Sequence, residues 1–317
     1  MPILLSLHAT AAFALALLAP SFLIALAPLA LGVPHLAADV RYLLLRRAPP
    51  RWWLGVSAGF ALTLVALRAL AEAKVKVAPS LAFEQGVASA WVLVGALGGF
   101  AAARRGIARG VVALVAAAGV AALAIGAPAP FRIALLHGHN LMAVAIWALL
   151  FRRGGRLGWL PVAMVLVGAG LLASGALLGV TLQHGALSVA GLHLFAAADW
   201  LGPGLSDGAA IAVATSFAFL QSVHYAIWLV GVPSGDRPGE GGRSWRATGR
   251  ELIRDFTAPG VASIVALALL VAAAGMAHPG PTRRLFLSLA TFHGWFELAA
   301  LAYLFARGAA SPVRPAP

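Results

Sequence analysis

Apolar runs of about twenty residues follow one another along nearly the whole chain, the length an α-helix needs to cross the hydrocarbon core of a bilayer. The runs show no period-two alternation, so closed barrels are excluded and helices remain as the only way to pair every backbone group within lipid. Composition agrees. Of the 317 residues 61% are hydrophobic and only 10% charged, against roughly 25% charged in a soluble domain. The expected fold is all-α, a polytopic transmembrane helical bundle of about nine to ten spans. We place these at 3–19, 21–45, 52–72, 85–103, 107–126, 131–151, 157–182, 208–231, 258–277 and 285–306. They form a single transmembrane domain over 1–310, followed by a proline-rich, disordered tail over 311–317.

Basic residues test this map. Arg46, Arg47, Arg51, Arg104, Arg105, Arg109, Arg152, Arg153, Arg156, Arg237, Arg243, Arg246, Arg250, Arg254, Arg307 and Arg314 fall in one set of loops, sixteen in all. The alternate loops hold five: Lys74, Lys76, Arg132, Arg283 and Arg284. A bias on every second loop is the positive-inside pattern, and it puts 46–51 and 232–256 in the cytoplasm. The net charge of +13 is therefore a topology signal with some attraction to anionic lipid, and calls for no nucleic-acid partner. No basic residue precedes position 41, so the N-terminal run reads as a retained span rather than a signal peptide. The expected location is a bacterial inner (plasma) membrane, crossed many times. The chain has no cysteine, which excludes disulfides and thiolate metal sites.

Two loops interrupt the spans. The one over 183–207 is apolar, carries His184, His193 and Asp199, and has room for a short interfacial helix or a lid. The one over 231–256 is rich in Gly, Pro and Arg, and its second half, 244–255, reads as an amphipathic surface helix.

Ionisable groups inside hydrocarbon are costly, and they mark function by default. His35 and Asp39 share a face of the second span at i, i+4, and His293 and Glu297 repeat that spacing in the last. His224 lies on a stripe with Gln221 and Trp228. His137 and His139 are two apart and point in nearly opposite directions, so only one faces a common site unless the helix breaks at Gly138. All five histidines fall in the central ~15 Å of the bilayer at ~1.5 Å rise per residue. Histidines with two carboxylates suit non-haem iron, one ion or a pair, in oxygen chemistry. Asp39 and Glu297 would serve as ligands or as bases beside the site. His8, His184, His193 and His278 lie in loops or near span ends and read as structural. Trp52, Trp53, Trp159 and Trp200 read as interfacial anchors.

The run Gly32-Val33-Pro34-His35-Leu36-Ala37-Ala38-Asp39, followed by His137 or His139, by His224, and by His293 with Glu297, resembles the Brp/Blh family of membrane β-carotene 15,15′-dioxygenases. The resemblance implies iron held by these histidines, dioxygen as co-substrate and a lipophilic substrate such as a carotenoid. Two other readings use the same residues: a haem-binding electron-transfer protein with bis-histidine ligation, and a proton-coupled transporter with histidine and glutamate in a relay.

Overall fold

The computed structural model describes residues 2–47, 49–74, 80–103, 106–152, 155–236 and 245–308. Arg104, Arg105, Arg153, Arg237, Arg243, Arg314, Lys76 and the tail 311–317 lie outside the described residues. Among those described, nine helices are long and apolar enough to cross a membrane. They are Pro20–Arg47, Arg51–Glu72, Leu81–Ala101, Ile107–Gly126, Pro128–Phe151, Gly155–Ala173, Asp207–Gly235, Ala258–Ala277 and Pro279–Arg307. A shorter apolar helix, α1 (Pro2–Leu18), precedes them. The fold is therefore an all-α bundle that fits an integral, multi-pass membrane protein.

The helices carry the labels α2 (Pro20–Asp39), α3 (Arg51–Glu72), α4 (Leu81–Ala101), α5 (Ile107–Gly126), α6 (Pro128–Ile146), α7 (Leu160–Ala173) and α8 (Leu178–His184). After them come the strands β1 (Ser188–Val189) and β2 (Leu192–His193) and the helices α9 (Leu194–Leu201), α10 (Asp207–Ala226) and α11 (Val232–Gly235). The chain continues with α12 (Trp245–Phe256), α13 (Ala258–Ala277), α14 (Pro279–Leu289) and α15 (Phe292–Arg307). Three of them run on into a wider π-turn, at Val40–Leu44 after α2, Trp147–Phe151 after α6 and Ile227–Gly231 after α10. Such turns leave ladder bonds displaced and recur at functional sites.

Two spans depart from expectation. The run read as 157–182 stops at Ala173, because Gly175 takes a left-handed conformation (φ 75°) and the chain turns before α8. The last run, read as one helix over 285–306, is broken between Leu289 and Phe292, and Thr291 ties the break with its hydroxyl on the carbonyls of Leu287 (3.1 Å) and Ser288 (2.7 Å). Irregular backbone inside a span is tolerated only where protein or a cavity surrounds it.

The chain forms two compact units. One comprises residues 1–38 and 140–284. Its centre is α10, whose alanines Ala210, Ala214 and Ala218 are buried and let neighbouring helices close in. Phe219 on α10 meets Phe13 on α1 edge-on at 5.9 Å, and both rings fill the space left by Gly168 on α7. The apolar loop over 183–207 contains a hairpin, β1 on β2, closed by Ala190 (φ 50°) and Gly191 (φ 74°), and then α9. Two consecutive positive-φ residues match the right-handed twist of the strands. His193 caps α9 by accepting the Phe195 N–H, so its ring is spent on structure. The expected amphipathic helix of 244–255 is α12. Side chains along α13, among them Val265, Leu269, Leu270 and Met276, are exposed, as lipid-facing residues are.

The other unit comprises residues 39–139 and 285–317. Here α4 and α15 approach through Gly95 and Gly99, which stand against the backbone of Ala299 and Tyr303. Trp91 on α4 lies between Phe60 and Phe296, with centroids 5.8 Å away on both sides. Trp53, expected at the interface, is instead buried and stacks on Tyr303 at 4.9 Å and 8°. Trp52 stays half exposed, as an anchor does. Arg68 on α3 holds Glu84 on α4 at 2.7 Å.

Candidate functional site

Among the described residues, each unit brings two imidazoles together. In the first, α2 brings His35 against His224 of α10, with centroids 5.2 Å apart and the rings at 76°. Their ligating nitrogens lie within 4.8 Å of one another. Both residues are at most 2% exposed. Pro34 withholds its N–H from the ladder of α2 immediately before His35. The His35 ring turns back along the helix, and its Nδ1 donates to the Leu31 carbonyl at 3.2 Å. A carbonyl only accepts, so Nδ1 carries the proton and Nε2 keeps its lone pair in the neutral ring. Tyr225 completes the cluster, its ring 4.7 Å from His35 and 5.8 Å from His224. Sequence reasoning passed over Tyr225. Its one signal was adjacency to a histidine on a span that turns out to be buried all round.

In the second unit His139 of α6 meets His293 of α15, with centroids 5.1 Å apart at 88°. The same device sets the tautomer twice more. His139 donates from Nδ1 to Leu135 (3.2 Å), and His293 donates from Nδ1 to Ala290 (2.6 Å). The Ala290 carbonyl accepts both the His293 backbone N–H (3.1 Å) and the ring Nδ1–H, so the irregular turn before α15 orients the His293 ring. α6 runs unbroken through Gly138, which keeps His137 and His139 on opposite sides. The His139 ring is the one seen against His293.

Both carboxylates picked from the sequence belong to this second unit and are wholly buried. Neither oxygen of Asp39 has a hydrogen-bond partner among the described residues, and the charge that acts on it is the Glu297 carboxylate. A buried carboxylate without hydrogen bonds costs several kcal/mol, so its retention calls for a functional explanation. Tyr42, in the middle of the Val40–Leu44 π-turn, receives a hydrogen bond from Arg41 at 3.2 Å.

The four histidines thought to be structural stay apart from these pairs where the structure describes them. His8 bonds the Ser222 carbonyl at 3.2 Å, His193 is a cap, and His184 and His278 stand at the ends of α8 and α13. No protein-family model matches the chain, and no curated protein and no solved structure is significantly similar to it. The likeness to the Brp/Blh family therefore rests on the motif residues themselves.

Proposed function

We propose that this protein is an integral membrane non-haem iron oxidoreductase, dioxygenase-like, that acts on a lipophilic substrate such as a carotenoid. The observation that carries the reading is the His35–His224 pair: two buried imidazoles whose ligating nitrogens lie within 4.8 Å of one another, His35 with its proton committed to a carbonyl. Metal-binding histidines characteristically use the second ring nitrogen in this way, which fixes the tautomer and strengthens the donor. The donor set contains imidazole and carboxylate and no thiolate, which suits iron in oxygen chemistry. His293, with Nδ1 committed likewise, is the next donor expected from the sequence, and His139 takes precedence over His137.

The metal would supply dioxygen activation. The chain's own residues do the rest. The apolar helices offer a dry environment for a hydrocarbon substrate. Leu31 and Ala290 hold imidazole protons away from the ligating nitrogens. Asp39 and Glu297 supply negative charge or a proton acceptor in an interior that otherwise has little of either. The haem reading is weakened by the same pair. Rings edge to face at 5.2 Å leave no slot for a macrocycle between them.

Location in a bacterial inner membrane, with the arginine-rich loops in the cytoplasm, is part of this reading and rests on the basic bias of alternate loops. Elemental analysis and an absorption spectrum of purified protein test the whole. Iron that co-purifies without a Soret band is expected, and is lost in His35→Ala and His224→Ala. A Soret band, or full metal retention in both variants, would discard it.

A further inference from the structure

Outside the histidine clusters, among the described residues, Arg283 is a buried charge without an ion-pair partner. It lies in the first turns of α14 and is 7% exposed. Its Nη1 is buried with no hydrogen-bond partner, and among the described residues no carboxylate forms an ion pair with it. The neighbouring charge that acts on it is Arg284, of the same sign. What the protein does offer is a ring: the Arg283 guanidinium carbon stands 5.4 Å from the centroid of Trp200 on α9. Trp200 is itself braced edge-on by Phe217 of α10 at 6.3 Å.

A cation over an aromatic face is stabilised on that face only. The N–H groups of guanidinium lie in its plane and form a fork that matches two oxygens of a phosphate or carboxylate. Arg283 is thus packed on one side and left without its anion. The surroundings indicate which anion. The Thr282 hydroxyl donates to the Ala274 carbonyl at 3.0 Å, which ties the start of α14 to the end of α13. The flank of α13 is apolar and exposed at Val265, Leu269, Leu270 and Met276. Arg283 follows the first residue of α14 by four, about 6 Å along a helix, so it stands near one end of the apolar Pro279–Arg307 helix.

The geometry points to a phospholipid site: the phosphate of one lipid accepts from Arg283 above the Trp200 ring, and its acyl chains lie along the exposed face of α13. The residues come from α9, α13 and α14 and include none of the histidines or carboxylates of the proposed reaction. The shared chemistry with free phosphate is a tetrahedral oxyanion; the chains distinguish the two.

Native mass spectrometry of the full-length protein, released from detergent with added phosphatidylglycerol, tests this. One lipid is expected to stay bound to the native chain, with affinity reduced roughly 10–100-fold in Arg283→Gln, as for a lost hydrogen bond to a charged group. Arg283→Lys keeps the charge without the fork and is expected to fall between the two, which covers the case in which the glutamine variant does not fold. Diacylglycerol, which lacks the phosphate, is expected not to bind. Equal retention of phosphatidylglycerol by native and lysine variants, or equal binding of diacylglycerol, overturns the proposal. Displacement of the lipid by an equal concentration of inorganic phosphate overturns the assignment to a lipid.

Discussion

His35 and His224 stand edge to face, 5.2 Å between centroids, although 189 positions separate them in the chain. If both serve one ion, their losses are not additive. Each alanine variant alone is expected to remove most of the bound metal, and the double variant to do no worse than either single one. Metal content per chain across the cycle checks this. Independent, additive losses would assign the two rings to different tasks.

Asp39→Asn and Glu297→Gln keep size and remove charge. Both variants are expected to fold and insert as the native chain does, because removal of a buried charge relieves desolvation. Metal affinity or turnover of a candidate lipophilic substrate is expected to fall by roughly 10–100-fold, as for groups that orient metal ligands. Unchanged metal content and turnover in both would make the carboxylates structural.

The α4–α15 contact depends on the absence of side chains. A Cβ at Gly95 would stand 2.5 Å from the Ala299 carbonyl oxygen, and one at Gly99 would overlap that of Tyr303. Gly99→Val is expected to destabilise the second unit by about 1–3 kcal/mol or more, by overpacking. Gly119→Ala on α5, where nothing lies within 4 Å, is expected to be neutral or slightly stabilising. Thermal unfolding in detergent distinguishes them; equal Tm values would contradict the close approach.

Arg68 and Glu84 form an ion pair at 2.7 Å with side chains only 18% and 10% exposed. Removal of one partner strands the other, so Glu84→Gln alone is expected to cost about 3–5 kcal/mol. The double variant Arg68→Met with Glu84→Gln is expected to recover part of that loss. Melting temperatures of Arg68→Met, Glu84→Gln and the double variant decide it, and a double variant worse than the sum of the two singles would be the contrary result.

Single cysteines can be placed at will, since the native chain has none. Labels at positions 49, 155 and 236 are expected to react from the same side of the membrane, and one at 280 from the other. Reaction of any two of the first three from opposite sides would defeat the proposed orientation.

The helical, membrane-crossing nature of the chain could be read directly from the apolar runs, because in lipid the backbone pairs with itself and length alone sets the span. The i, i+4 relations of His35 with Asp39 and of His293 with Glu297 were equally legible, since helix geometry converts spacing into a shared face. So was the choice between His137 and His139, but only as an alternative, because periodicity states that two residues diverge and not which one meets a partner. The contact of His139 with His293 comes from the approach of α6 to α15. Tertiary structure also decided that Tyr225 stands against His35 and that Trp53 is buried against Tyr303 of α15. In each case the deciding quantity is a contact between segments far apart in the chain. Local pattern constrains which faces are apolar or polar; only the approach of one helix to another determines which groups on those faces touch.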